Sequence, residues 1–252
     1  MVDSHCHLQA AQVRPRAVEM VAEARSAGVR EILIAGIVPT DAWETAELAC
    51  GLGVWSSAGC HPCHVDQWDA QLVATACDHP SVVAVGECGF DFFHEPFDAG
   101  LQESVLREQI EIARQKDLPI ILHNRKSSDD LLRVLRQAGY GRGVFHCFSA
   151  SRKTLEGALS MGFHISISGT VTFSNASVRE LVPDIPSDRL LIETDAPWLA
   201  PVPHRGKENR PALVAHVRDA VAKLRGMDPP ELNDLLVDNF RSLFAKSTRA
   251  AP

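Results

Sequence analysis

The sequence predicts an α/β protein built as a single (β/α)8 TIM barrel with a C-terminal helical extension. Three observations predict it. Eight short β-rich runs alternate with helical patterns along the chain. No Pro-, Gly- or Ser-rich linker divides it, so residues 1–252 read as one domain. Its 252 residues also match the roughly 250 that such a barrel needs. A doubly wound open sheet is the competing reading of the same alternation.

The β runs fall at residues 2–8, 31–35, 54–58, 82–87, 119–123, 143–147, 164–168 and 190–195. Apolar and β-branched residues dominate them, as strands buried on both faces require. Helical periodicity marks residues 15–27, 41–51, 101–116, 128–138, 151–161 and 178–182. Gly28, Gly139 and Gly162 stand where left-handed cap residues are expected. A Pro-rich loop follows Asp195 and runs through Arg210, and helical patterns at 211–225 and 230–244 form the C-terminal extension.

Composition narrows the function classes. With 45% hydrophobic residues the chain has material for a large core that needs no covalent staples. Its seven cysteines are odd in number and scattered through apolar segments, which fits reduced thiols in the cytoplasm rather than a disulfide framework. The residues after Met1 lack a basic or apolar leader, and no stretch reaches membrane-spanning length. A net charge of -7 argues against a broad basic surface that tracks a nucleic-acid duplex. An enzyme that grips one phosphate through bound metals needs no such surface.

The chemistry sits where the runs end. His5 and His7 close the first, Glu87 the fourth, His123 the fifth, His146 the sixth and Asp195 the eighth. Strands of a parallel barrel all point one way, so these six side chains converge on one rim. Residues two apart on a strand share a face, so His5 and His7 aim at the same point. Ionisable groups at the ends of apolar strands such as Pro119-Ile120-Ile121-Leu122-His123 are costly unless paired or metal-bound. Imidazole with carboxylate suits Zn²⁺, Mn²⁺, Fe²⁺, Co²⁺ or Ni²⁺, and the oxygen share admits Mg²⁺.

Asp3-Ser4-His5-Cys6-His7-Leu8, Gly86-Glu87-Cys88-Gly89-Phe90-Asp91, His123-Asn124-Arg125, His146-Cys147-Phe148-Ser149 and Glu193-Thr194-Asp195-Ala196-Pro197-Trp198 form an ordered set across nearly the whole chain. This set resembles the motifs of TatD-type deoxyribonucleases, among the amidohydrolase-like metal-dependent barrels. The resemblance implies metal-dependent hydrolysis of DNA phosphodiesters from the 3′ end, on single-stranded or frayed ends, with no membrane and no obligate protein partner. It implies two divalent ions (Mg²⁺, Zn²⁺ or Mn²⁺): one held by His5, His7 and Asp195, the other by His123 and His146, with Glu87 bridging. Asp195 and Glu87 are then the catalytic residues, with Asp195 orienting or deprotonating the attacking water. His61, Arg125 and Asn209 are the expected substrate contacts, and Asp91 is expected to support the ligands from behind or to cap a helix.

The chain departs from the family pattern in places. Cys63 stands between Pro62 and His64 where a His often follows the Pro directly, Ala150 stands where Gly is usual, and Lys207-Glu208-Asn209-Arg210 exchanges the family's Arg and Glu. Two further signals are set aside. Cys60-His61-Pro62-Cys63 has the spacing of a thiol redox pair but no small redox domain around it, and Gly51-Leu52-Gly53 lacks the third glycine of a dinucleotide loop. The aromatic run Phe90-Asp91-Phe92-Phe93 reads either as packed barrel rim or as a base-stacking surface. The rival functions are a metal-dependent hydrolase of an amide, lactone or small phosphate ester, and a thiol protein using Cys60 and Cys63.

Overall fold

The computed structural model describes residues 1–244. Its strands are β1 (Val2–Cys6), β2 (Glu31–Ile34), β3 (Trp55–Ala58), β4 (Val82–Asp91), β5 (Ile120–Arg125), β6 (Gly143–Phe145), β7 (His164–Ile167) and β8 (Leu190–Ile192). All pair in parallel, in the order β1 to β8. An open doubly wound sheet would reverse its order at a switch point, and this one does not. β8 instead comes back beside β1, where Asp195 N donates to His5 O (2.9 Å) and His7 N to Ala196 O (2.7 Å). Side chains finish the seam: the buried Asp3 carboxylate accepts from Thr194 N (2.8 Å) and Thr194 Oγ1 (2.6 Å), and Ser4 Oγ donates to Ile192 O (3.0 Å).

Helices α1 (Ala17–Ser26), α2 (Ala42–Leu52), α3 (Ala70–Ala76), α4 (Ala99–Lys116), α5 (Ser128–Ala138) and α6 (Arg152–Ser160) follow the first six strands in turn. Asp69, Asp98 and Ser151 cap α3, α4 and α6 by accepting from the backbone N–H three residues on. Gly28, Gly139 and Gly162 all take positive φ, as their cap positions require.

The structure differs from the sequence reading in two places. Helix α3 is only 7 residues long and carries too few turns for its periodicity to stand out. The helix expected at 178–182 is a pair of 3-10 turns, Ser177–Glu180 and Val182–Asp184, because Pro183 and Pro186 break the segment. The C-terminal extension, α7 (Val214–Arg225) and α8 (Pro229–Leu243), fills the wall this leaves open: α7 packs beside β7's short turns and α8 against β8 and β1. The end of the 1–252 domain, residues 245–252, lies outside the described residues.

Two of these contacts set where the eighth strand begins. Asn239 of α8 is buried and its Nδ2 donates to Ser187 O (2.6 Å) and Leu190 O (2.8 Å). Asn239→Ala strands both carbonyls, so urea denaturation is expected to show a loss of about 1–3 kcal/mol. Divalent-ion binding, far away at the opposite end of the strands, should not change.

Candidate active site

β1 delivers the first two groups. His5 and His7 meet on one side of the strand, with their Nε2 atoms 3.0 Å apart. β4 delivers Glu87 between two glycines that only glycine could fill. A side chain on Gly86 (φ 134°) would put its Cβ 2.7 Å from Ile121 O, and one on Gly89 (φ 140°) would put it 2.1 Å from His123 O. Their bareness lets β4 press against β5 and carry Glu87 into the barrel mouth. His123 lies within β5, and His146 follows directly on β6. Cys147 (φ 43°) and Asp195 (φ 59°) hold left-handed backbone, a strained state for non-glycine residues that concentrates at functional sites. At Asp195 this turn bends the chain off β8 and swings the carboxyl back over the mouth.

All six predicted groups meet, and Glu87 stands between them. Its Oε2 lies 3.2 Å from His5 Nε2 and 3.7 Å from His7 Nε2, with Asp195 Oδ1 3.3 Å from His7 Nε2. Its Oε1 lies 2.7 Å from His123 Nδ1 and 2.9 Å from His146 Nε2. His61 joins this second half, with Nε2 3.4 Å from Glu87 Oε1. Glu87, His5, His7 and His146 are buried.

The electrostatics ask for positive charge. Burial alone raises a carboxyl, yet the imidazoles of His146, His61 and His5, with the bond from His123, hold Glu87 well below the usual range. Burial likewise works against Asp195, but His7 and His5 bring it down. Burial disfavours charge on His146, and Glu87 and Glu193 still lift it well above the ordinary histidine value. Burial takes His5 down, with His146 adding to it, and takes His61 down to about 3. Ring nitrogens of His5 and His7 come within 3.0 Å of each other, and those of His123 and His146 within 3.3 Å. Only a proton or a cation between them makes such a contact favourable. The nitrogen and oxygen donors therefore fit divalent metal ions. Triads such as His5, His7 and Glu87, and His61, Glu87 and His123, have their ligand atoms within 4.8 Å of one another.

Behind the ligands stand two acids. Asp91 accepts from His123 Nε2 (3.0 Å), which leaves Nδ1 for Glu87, and also from the N–H groups of Phe93 and His94. Glu193 is fully buried; its Oε1 lies 3.3 Å from His146 Nδ1 and accepts from Cys147 N (2.7 Å). With Nδ1–H turned to Glu193, His146 presents the Nε2 lone pair to the site. Sequence reasoning passed over Glu193, although the alternation that pairs His5 with His7 also puts Glu193 on the side of Asp195.

Asn209 is a correction. It is fully buried and offers nothing to a substrate, because Nδ2 donates to Thr194 O (2.8 Å) and Trp198 O (2.6 Å) while Oδ1 accepts from Arg210 N. These bonds fold the loop that sets Trp198 against His7, ring centres 5.0 Å apart. The exchanged charges beside it are spent within the protein: Glu208 pairs with Arg16 and Arg210 with Glu23. The thiols also resist a redox reading. Burial pushes Cys60 up to about 12 and Cys63 up to about 11, away from the thiolate such chemistry needs.

The chain matches the family described as TatD related DNase over residues 2–245. It belongs to that family. It is 36% identical to the 3′-5′ ssDNA/RNA exonuclease TatD of Rahnella sp., over 99% of this chain and 100% of that one. It is 37% identical to YcfH of Escherichia coli K12, an uncharacterized metal-dependent hydrolase, over 97% and 95% of the two chains. The crystal structure of YJJV, a TatD homolog from E. coli K12, superposes with a TM-score of 0.92 at 30% identity, covering 97% and 98% of the chains. This TatD-family chain is thus a metal-dependent hydrolase.

Glu193 generates a prediction. Glu193→Leu should weaken divalent-ion affinity by about 10–100-fold, read by competition with a chromophoric chelator, and Glu193→Gln should weaken it less because an amide oxygen still accepts. Wild-type affinity in a folded Glu193→Leu variant would show that Glu193 does not orient His146.

Proposed function

We propose that this TatD-family chain is a deoxyribonuclease that trims single-stranded or frayed DNA from the 3′ end, using two divalent ions held around Glu87. The carrying observation is the division of one carboxylate, Oε2 toward His5 and His7 and Oε1 toward His123 and His146. His5, His7 and Asp195 would hold one ion and His123 and His146 the other, with Glu87 shared. Mg²⁺, Zn²⁺ and Mn²⁺ are the candidates. Such ions, when bound, make water a nucleophile near neutral pH and steady charge on the entering and leaving oxygens.

The rest is the chain's own work. Asp195, kept ionised by His7 and His5, takes a proton from the attacking water. Its side chain is 14% exposed, so water reaches it while the backbone fixes its direction. Asp91 and Glu193 hold the His123 and His146 rings in register. His61, with burial keeping it neutral, and Arg125, at the open end of β5, contact the substrate. Arg125 offers the planar fork of donors that matches a phosphate.

DNA as substrate draws on the names of relatives, among them the Rahnella exonuclease. The seven cysteines, most of them buried, fit a cytoplasmic setting, and no helix of the described residues is long and apolar enough to cross a membrane.

Two measurements test the reading. Elemental analysis should find up to two divalent ions per chain, and chelation should abolish 3′-end cleavage of single-stranded DNA until metal is restored. A metal-loaded protein that cleaves lactones or simple esters but leaves DNA intact would transfer the site to another substrate. Glu87→Gln and His146→Ala should each cost activity more than the roughly 10–100-fold typical of losing an outer hydrogen-bond partner, with the far-ultraviolet spectrum unchanged. Near-normal turnover by folded Glu87→Gln would refute its shared role.

A further inference from the structure

A second group of side chains, two of them cationic, lies at the mouth. β5 ends at Arg125, and Lys126 continues in left-handed backbone (φ 58°). That turn lays two cations on one ring: the Arg125 guanidinium carbon is 4.3 Å and Lys126 Nζ 4.7 Å from the centre of Phe93. Phe93 is 45% exposed, and it is tied to the site because Asp91 accepts both its N–H (2.8 Å) and His123 Nε2 (3.0 Å). The turn itself is fastened. Phe92 N donates to Arg125 O (2.9 Å), Ser127 Oγ to Phe90 O (3.1 Å) and Asn124 Nδ2 to Ser128 Oγ (2.9 Å).

Two cations on one ring repel, so they hold this place well only with an anion between them. Several other surface cations find acids: Arg133 meets Glu103, Lys116 meets Asp78 and Lys153 meets Asp129. Among the described residues neither Arg125 nor Lys126 has a carboxylate in ion-pair range. Both instead line a cavity of about 550 Å³ that reaches His123, His146 and Asp195. A second cavity of about 580 Å³ opens on the same centre, and its wall includes Ile37, His64 and Trp198. The two cavities share Arg125, His123, His146 and Asp195; Lys126 lines only the first and Trp198 only the second.

We propose that Phe93, Arg125 and Lys126 form a clamp for the phosphate next to the one being cleaved, so that the site takes single strands with at least two consecutive phosphates. This rests on the nuclease reading. The guanidinium fork takes two non-bridging oxygens, the ammonium takes another, and Phe93 keeps both heads from collapsing toward the metal ligands. Nothing in the clamp reads a base edge, so it discriminates by strand length and charge and not by sequence. The terminal nucleoside then falls in the compartment beside Trp198, where a base stacks without regard to identity.

The probe is a fluorescent, phosphorothioate-linked single-stranded octamer, which keeps its charges and resists hydrolysis. Anisotropy titrations across a salt series give Kd and its salt slope for the full chain. Arg125→Met/Lys126→Met, at two exposed positions that spare the fold, should raise Kd at least about tenfold and cut the slope by about 1.4, two contacts of about 0.7 each. Phe93→Ala keeps both charges, so it should raise Kd about threefold and leave the slope alone. An unchanged Kd and slope in the folded double variant overturns the clamp, as does a wild-type chain that does not bind the octamer. Wild-type binding with the clamp signature, but no cleavage of unmodified DNA with Mg²⁺, Mn²⁺ or Zn²⁺, would sustain the clamp and sink the nuclease reading.

Discussion

One buried carboxylate shared between two sets of imidazoles is the interaction on which this structure depends. Glu87 sits at the mouth of the barrel with an oxygen toward each set, one carried by β1 and the other by β5 and β6, far from it in the chain. Burying an acid so deeply is unfavourable by itself. The surrounding histidines reverse that and hold Glu87 as an anion. They are in turn oriented by acids behind them, Asp91 for His123 and Glu193 for His146. Carboxylate and imidazole alternate outward from the centre, and the outer acids fix the hydrogen-bonding direction of His123 and His146.

The barrel supplies the rigidity that this alternation needs. Its strands are buried on both faces, and its seam is closed near the site by Asp3 and Thr194 as well as by backbone bonds from His7 and Asp195. Closure and the candidate site therefore share residues: the backbone N–H of Asp195 binds His5 O while its side chain faces His7. Strained backbone at Asp195 is held by the seam bond to His5 O, and that at Cys147 by the bond from its N–H to Glu193. The mouth that results carries Lys126 in one cavity and Trp198 in the other, with Arg125 lining both. That asymmetry suits an extended polyanion better than a compact neutral ester.

Much of this was legible in the sequence, for physical reasons. Strands buried on both faces must be apolar throughout, so an ionisable residue at the end of such a run stands out, and His123 and Glu87 did so. The alternation of side chains along a strand makes His5 and His7 a pair from the sequence alone. Other features depend on contacts that no local pattern carries. Asn209 lies in a motif that suggested substrate, but its direction is set by carbonyls of Thr194 and Trp198, and it became a loop anchor. Glu193 reads as one more residue of a buried strand until His146 is seen beside it. Lys126 and Phe93 become a unit only because a left-handed turn brings the end of β5 over the loop after β4. Helix α3 and the turns after β7 were hard to read because seven residues, or a segment broken by proline, cannot display a helical period.

The shared carboxylate is tested most directly by anomalous diffraction from crystals of the protein grown with Mn²⁺ or Zn²⁺. The account predicts two anomalous peaks on opposite sides of Glu87, one within bonding distance of Oε2, His5 and His7, the other of Oε1, His123 and His146. A single peak that engages both oxygens, or metal bound away from Glu87 altogether, would contradict it.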